Sequence, residues 1–222
     1  VDRERPFFVT FEGIEGCGKS TQVQILQKRL CDFGIVPLII REPGGTAISE
    51  RIRTILKDNA YQNVMAPETE LLLMNAARAQ LVREVIKPAL LQNRFLIADR
   101  YFHSTLAYQA YGRQLPKDSL EFITQYAVNR VVPDVVIFLD ISLEKSMERI
   151  RIRNKQLASQ GIIVSDRFEE AGMDFHKRVY QGFQLIASQF SYVKRIDAER
   201  PESVVSEEIW QILQSSYFSC LA

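Results

Sequence analysis

The chain is poor in cysteine and histidine, nearly free of net charge and without a long apolar run, and each shortage removes a class of function. Cys17, Cys31 and Cys220 are its only cysteines. They are too few and too oddly placed for a disulfide framework or a zinc site. His103 and His176 are the only histidines and have no partner spacing that points to a metal or a catalytic base. A formal net charge of +1 gives no reason to expect nucleic acid or a membrane surface as partner. An anionic ligand must then be met by local positive charge. No run approaches the roughly 20 apolar residues needed to span a bilayer. The opening Val1-Asp2-Arg3-Glu4-Arg5-Pro6 is charged and lacks an apolar targeting core. A reducing cytosol is the expected home. No repeat, low-complexity tract or Pro/Gly-rich linker marks a boundary, so residues 1–222 read as one domain.

What is present is an alternation of short apolar runs with helical stretches. Phe7–Phe11, Val36–Ile40, Phe95–Ala98, Val135–Leu139 and Tyr192–Ile196 read as strands. Such alternation predicts an α/β fold with a parallel sheet of about five strands, helices on both faces and ligands beyond the carboxyl ends of the strands. Two runs, Phe95–Ala98 and Val135–Leu139, are almost uninterrupted and end in Asp99 and Asp140.

The first run leads into Gly13-Ile14-Glu15-Gly16-Cys17-Gly18-Lys19-Ser20, which fills every fixed position of G-x-x-x-x-G-K-[ST]. Gly13, Gly16 and Gly18 let the chain curl with its N–H groups inward. Those dipoles and the next helix's N-terminus suit a nucleotide's β-phosphate. Lys19 is expected on the β- and γ-phosphates and the Ser20 hydroxyl on Mg²⁺. The following Val23, Leu26 and Leu30 have the spacing of a buried helix face.

A P-loop alone establishes only a nucleoside triphosphate. After the second strand stands Arg41-Glu42-Pro43-Gly44-Gly45-Thr46, a forced turn that delivers Arg41 and then Arg53 to the same sheet edge. After the third stands Asp99-Arg100-Tyr101, followed by Ser104-Thr105-Leu106-Ala107-Tyr108-Gln109. Taken with Ala76-Ala77-Arg78 and Asp166-Arg167, in this order, these segments resemble thymidylate kinases, which phosphorylate dTMP to dTDP on the route to dTTP. The resemblance runs from about residue 7 to residue 200.

The resemblance implies ATP and dTMP as substrates, Mg²⁺ as cofactor and a homodimer. Leu71–Met74 and Leu120–Val128 serve equally well as interface or core. It places Arg100 on the acceptor phosphate and the transferring group, Arg53 near the dTMP phosphate with Arg41 among the other dTMP-binding residues, and Arg78 on the O4 edge of thymine. Thr105 and Gln109 match positions lining the base, Tyr108 a ring beneath the deoxyribose, and Glu15 an acidic residue near the acceptor. Met74 stands where the family usually stacks an aromatic ring on thymine. Residues Gly13 through Thr21 would hold ATP. Asp99 is expected to engage Mg²⁺ through water, with Asp140 structural.

One class of the family carries a basic residue inside the P-loop and another supplies it from a lid. Ile14, Glu15 and Cys17 carry no positive charge here, whereas Arg149, Arg151, Arg153, Lys155 and Arg167 crowd one segment. That segment, about 150–170, is expected to be a mobile basic lid, with Arg167 on the transferring phosphoryl and Arg153 stacked on adenine. A plain solvated surface loop is the bland alternative. Other acceptors, another nucleoside monophosphate or a deoxynucleoside, remain open from composition. A GTPase-like switch loses its base reader, because the only Asn-Lys is Asn154-Lys155-Gln156-Leu157, with leucine in place of the guanine-reading aspartate.

Overall fold

Strands that are apolar along their whole length need cover on both faces, and these receive it. The computed structural model describes residues 6–160 and 167–218. Its strands are β1 (Phe7–Glu12), β2 (Leu38–Arg41), β3 (Phe95–Asp99), β4 (Val135–Asp140) and β5 (Val193–Asp197). They pair in parallel in the order β2-β3-β1-β4-β5. The second strand starts two residues later than the sequence suggests. Pro37 has no N–H for a ladder, and Val36 before it is exposed.

The helices are α1 (Lys19–Asp32), α2 (Ala47–Lys57), α3 (Pro67–Leu81), α4 (Lys87–Leu91), α5 (Phe102–Thr105), α6 (Lys117–Val128), α7 (Leu143–Ala158), α8 (Met173–Gln189) and α9 (Glu202–Leu213). A π turn, Val82–Ile86, joins α3 to α4, and a second, Leu106–Gly112, continues α5. Side chains alternate across β1. Phe7, Val9 and Phe11 enter one core with Val23, Leu26 and Leu30 of α1 and with residues of α8 and α9. Phe8 enters the other, with Leu81 of α3 and Ala89 of α4. Each fully buried phenylalanine contributes roughly 1.5–3 kcal/mol.

Register sets the site. Phe11 lies opposite Asp99, and Asp99 opposite Arg41, so the ends of β1, β2 and β3 meet at one edge. Thr46 caps α2 by accepting from the Ser49 N–H at 3.1 Å, which anchors the turn after β2. The predicted basic loop is partly helix. Arg149, Arg151, Arg153 and Lys155 lie on the last turns of α7. Residues 161–166, Asp166 among them, lie outside the described residues.

Candidate active site

The glycine loop after β1 curls because Gly13 adopts φ +139°, with the Leu139 carbonyl oxygen 2.6 Å from where a Cβ would stand. An L side chain there would be both strained and crowded. Inside the curl the Lys19 ammonium donates to the carbonyls of Gly13 at 3.2 Å and Ile14 at 2.9 Å and to Cys17 Sγ at 3.5 Å. From the far side α7 holds the loop. Ser146 Oγ donates to the Glu15 carbonyl at 2.7 Å, and Arg149 Nη1 reaches the Gly16 carbonyl at 3.4 Å.

At the end of β3 the chain turns sharply, with Arg100 at φ +72°, an uncommon conformation for a residue with a side chain. Glu12 fixes that turn. Its carboxylate accepts from the Tyr101 N–H at 2.7 Å and from Ser104 Oγ at 2.6 Å. Burial pushes the Glu12 carboxyl up to about 7 against the opposing pull of Ser104, Arg100, the Tyr101 N–H and Lys19. Arg100 then spans the cleft. Its Nη1 donates to the Gly13 carbonyl and to Ser104 Oγ, both at 2.9 Å, and its Nη2 to Tyr108 Oη at 3.2 Å. Glu15 Oε2 lies 3.7 Å from Nη2. Burial works against the Arg100 charge, but Tyr108, Glu15, Asp99 and Glu12 outweigh it and raise its pKa.

Farther along the cleft Arg78 is held on three sides. Its Nε donates to Glu42 at 2.8 Å, Nη1 to Asn75 at 2.9 Å and Nη2 to Thr105 at 2.9 Å. Burial raises the Glu42 carboxyl, and Arg78 opposes that rise. Tyr108 and Gln109 sit on the π turn after α5, a helix irregularity common at functional sites. Arg53 donates to the Pro43 carbonyl at 2.8 Å, and Arg41 pairs with Glu50 at 3.0 Å.

Most of these groups line one cavity of about 600 Å³, with Glu12, Glu50, Asn75 and Ser146 bracing it from behind. Of the expected residues it brings together Glu15, Gly16, Cys17, Gly18, Lys19, Ser20, Thr21, Arg41, Arg53, Met74, Arg78, Asp99, Arg100, Thr105, Tyr108, Gln109 and Arg153. Gly13 and Ile14 are not on its wall and take part through their carbonyls. Arg167 is not on it either. Only 1% exposed, Arg167 places Nη2 2.6 Å from Glu70 Oε2 and donates from Nε to the Leu56 carbonyl at 3.0 Å. The buried Glu70 carboxylate holds that guanidinium as an ion pair, at that distance but without hydrogen-bond alignment at Nη2. Arg153 reaches the wall while paired with Glu169 at 2.5 Å. Asp140 accepts from Arg195 at 2.8 Å and from Gln184 at 2.5 Å, a structural clasp away from the cavity.

Sequence reasoning missed Lys57, Phe168 and Arg200 on this wall, and it placed Arg149 in the basic lid without a site role. Arg149 carried a usable signal, because it stands one helical turn before Arg153 on α7 and so shares its face. Phe168 had none, since its place against Tyr108 at 6.0 Å depends on a contact between distant segments.

Ser20 Oγ donates to Asp99 Oδ2 at 2.9 Å across the P-loop end of the cavity. A hydroxyl and a carboxylate oxygen side by side are hard donors that suit Mg²⁺, which keeps most of its remaining ligands as waters and substrate phosphates. Among the described residues no group of three or more His, Cys, Asp or Glu forms a fuller metal cage.

Comparison with known proteins agrees with this geometry. The thymidylate kinase family profile matches residues 11–209, which span every element of the cavity. A thymidylate kinase of Prosthecochloris aestuarii is 43% identical over 216 residues, covering 96% of each chain. That of Halothermothrix orenii is 40% identical over 206 residues, covering 93% of this chain and 95% of its own. That of Legionella pneumophila is 36% identical, with 93% of each chain covered. With the P-loop, the Arg100 turn and the Arg78 cluster all inside the matched region, the chain belongs to the thymidylate kinase family.

Proposed function

We propose that the chain, as a dTMP kinase, transfers the γ-phosphoryl of ATP to dTMP across this cavity, with Arg100 between the two substrates. The observation that carries the reading is the placement of Arg100, which bonds at once to the P-loop carbonyl of Gly13 and to Tyr108 on the acceptor wall. Two anions must meet for transfer, so repulsion has to be neutralised and the acceptor oxygen aligned. The acceptor phosphate is already anionic and needs no histidine base. His103, pushed down to about 3 by burial and the Arg78 charge, stays neutral. Lys19 and the P-loop N–H groups take the ATP phosphates. Mg²⁺, held by Ser20 and Asp99, supplies neutralisation of β- and γ-phosphate charge when bound. Arg53 and Arg41 receive the dTMP phosphate, Glu15 faces the acceptor, Arg78 and Gln109 take the base beside Thr105 and Met74, and Tyr108 underlies the sugar.

Residues 1–222 are read as one kinase domain with 150–170 as its lid. The lid-arginine class fits because Ile14, Glu15 and Cys17 are uncharged or acidic while Arg149 and Arg153 line the cavity. Arg167 reaches the phosphates only on leaving Glu70. A homodimer is supported by Leu72 on α3 and by Phe122 and Tyr126 on α6, all exposed on packed neighbouring helices. Sedimentation tests it: wild type should run as a dimer and Phe122→Glu/Tyr126→Glu as a monomer, and a monomeric wild type removes the dimer.

The test of function is coupled ADP release with ATP, Mg²⁺ and dTMP, dUMP, dCMP or CMP at equal concentration. Fast release with dTMP, ahead of the others, is expected. Slow release indifferent to acceptor would remove the kinase reading and leave a nucleotide-binding protein.

A further inference from the structure

Glu70 lies outside the cavity wall, is 1% exposed and is shared by three groups from other parts of the chain. Gln109 Nε2 donates to Oε1 at 2.8 Å. Arg113 meets both oxygens, with Nε 3.1 Å from Oε1 and Nη2 2.9 Å from Oε2. Arg167 Nη2 stands 2.6 Å from Oε2. A carboxylate ringed by guanidinium groups offers only acceptors, so the amide of Gln109 must turn its NH₂ toward Glu70. The amide oxygen is then the atom left for the cavity that Gln109 lines.

From this arrangement we infer that Glu70 is a positioning residue for base specificity: it locks the Gln109 amide so that the cavity meets a pyrimidine N3 with an acceptor. Thymine and uracil carry N3–H, a donor, and are received. Cytosine carries a bare N3 lone pair, which faces the amide oxygen and is rejected. The inference rests on the dTMP kinase reading. It adds to that reading the reason one buried carboxylate, which touches no substrate, decides between bases. Without Glu70 as an obligate acceptor, Gln109 is free to flip its amide and present the NH₂ to a cytosine N3.

The test is the ratio of kcat/KM for dTMP over dCMP. In wild type that ratio should be at least about 10³, since a site whose buried polar groups are matched to one substrate leaves them unpaired with the other. Glu70→Gln, whose amide both donates and accepts, should lower the ratio by about tenfold or more. Glu70→Asp keeps the charge and the acceptor-only character and should stay within about threefold of wild type. In a Gln109→Leu background, Glu70→Gln should produce no further change in the ratio. Loss of the charge beside buried Arg167 can prevent folding. The same ratio is then read in Glu70→Gln/Arg167→Leu, where Arg113, partly exposed to water, is the one cation of the pair left facing the new amide and any loss of phosphoryl stabilisation falls equally on both acceptors. A ratio within threefold of wild type in the folded Glu70→Gln variant overturns the inference. So does an equal loss in Glu70→Asp, or a further change in the Gln109→Leu background. Failure of the parent reading looks different: wild type itself would not turn over dTMP.

Discussion

The two ends of the cavity hold their cations by opposite means. At the P-loop end the Lys19 ammonium rests on main-chain carbonyls five and six residues away. At the base end Arg78 is held by Glu42, 36 residues away, and by Thr105, 27 residues away. The first arrangement is local and needs only the loop's own curl. The second is a buried ion pair, with the two side chains 2% and 4% exposed, that exists only once the turn after β2 has packed against α3. One end of the cavity is therefore wired for chemistry with little bearing on stability, while the other couples recognition to the fold.

The sharpest test of that contrast is Lys19→Ala. It should lower kcat by about 10³-fold or more and leave the unfolding midpoint within a few degrees of wild type, because the lost bonds are local to the loop and Arg100 still donates to the Gly13 carbonyl. ADP release and a thermal melt on one sample check both, and near-normal turnover would remove the P-loop from the reaction. Arg100→Ala comes next, at about 10²- to 10⁴-fold in kcat, since its contacts straddle both ends. Single-turnover kinetics should show the loss in the chemical step, and a loss confined to the KM for dTMP would reassign Arg100 to binding.

The reverse pattern is expected at the base end. Glu42→Gln strands the Arg78 charge and should cost about 3–5 kcal/mol by urea unfolding, with a raised KM for dTMP. Stability within about 1 kcal/mol of wild type would break the contrast. Glu12 gives the smallest effect and sharpens it by pH. Its carboxyl rises from 4.5 to about 7 on folding, so folding takes up a proton between those values. Stability from this group is present below about 4.5 and is lost as pH climbs through 7. Glu12→Gln does not titrate. Its stability relative to wild type should therefore grow by about 1–3 kcal/mol from about pH 5 to about pH 8. A difference that does not change with pH would mean that the Glu12 carboxyl titrates alike in the folded and unfolded chain.

Much of this site is legible in the order of residues along the chain. The P-loop and a strand end pair Ser20 with Asp99, and the two meet at 2.9 Å. Family resemblance assigns Met74, Thr105, Tyr108 and Gln109 to one wall, and they line it. It assigns Arg167 to the transferring phosphoryl, and the fold buries that side chain against Glu70 instead. A motif names the residue types around an arginine, but it does not say which distant carboxylate competes for the charge.

By itself the sequence determined the nucleotide loop, the strand-end placement of Asp99 and Arg100, and the parallel α/β sheet. Each of these depends on neighbours in the chain or on the strict alternation of side chains along a strand. Only the tertiary structure decided that Glu12 clamps the Arg100 turn, that Glu42 braces Arg78 and that Glu70 gathers Gln109, Arg113 and Arg167. Those are choices among buried partners far apart in sequence. They are settled by which charges the packed layers bring within reach once water has been excluded.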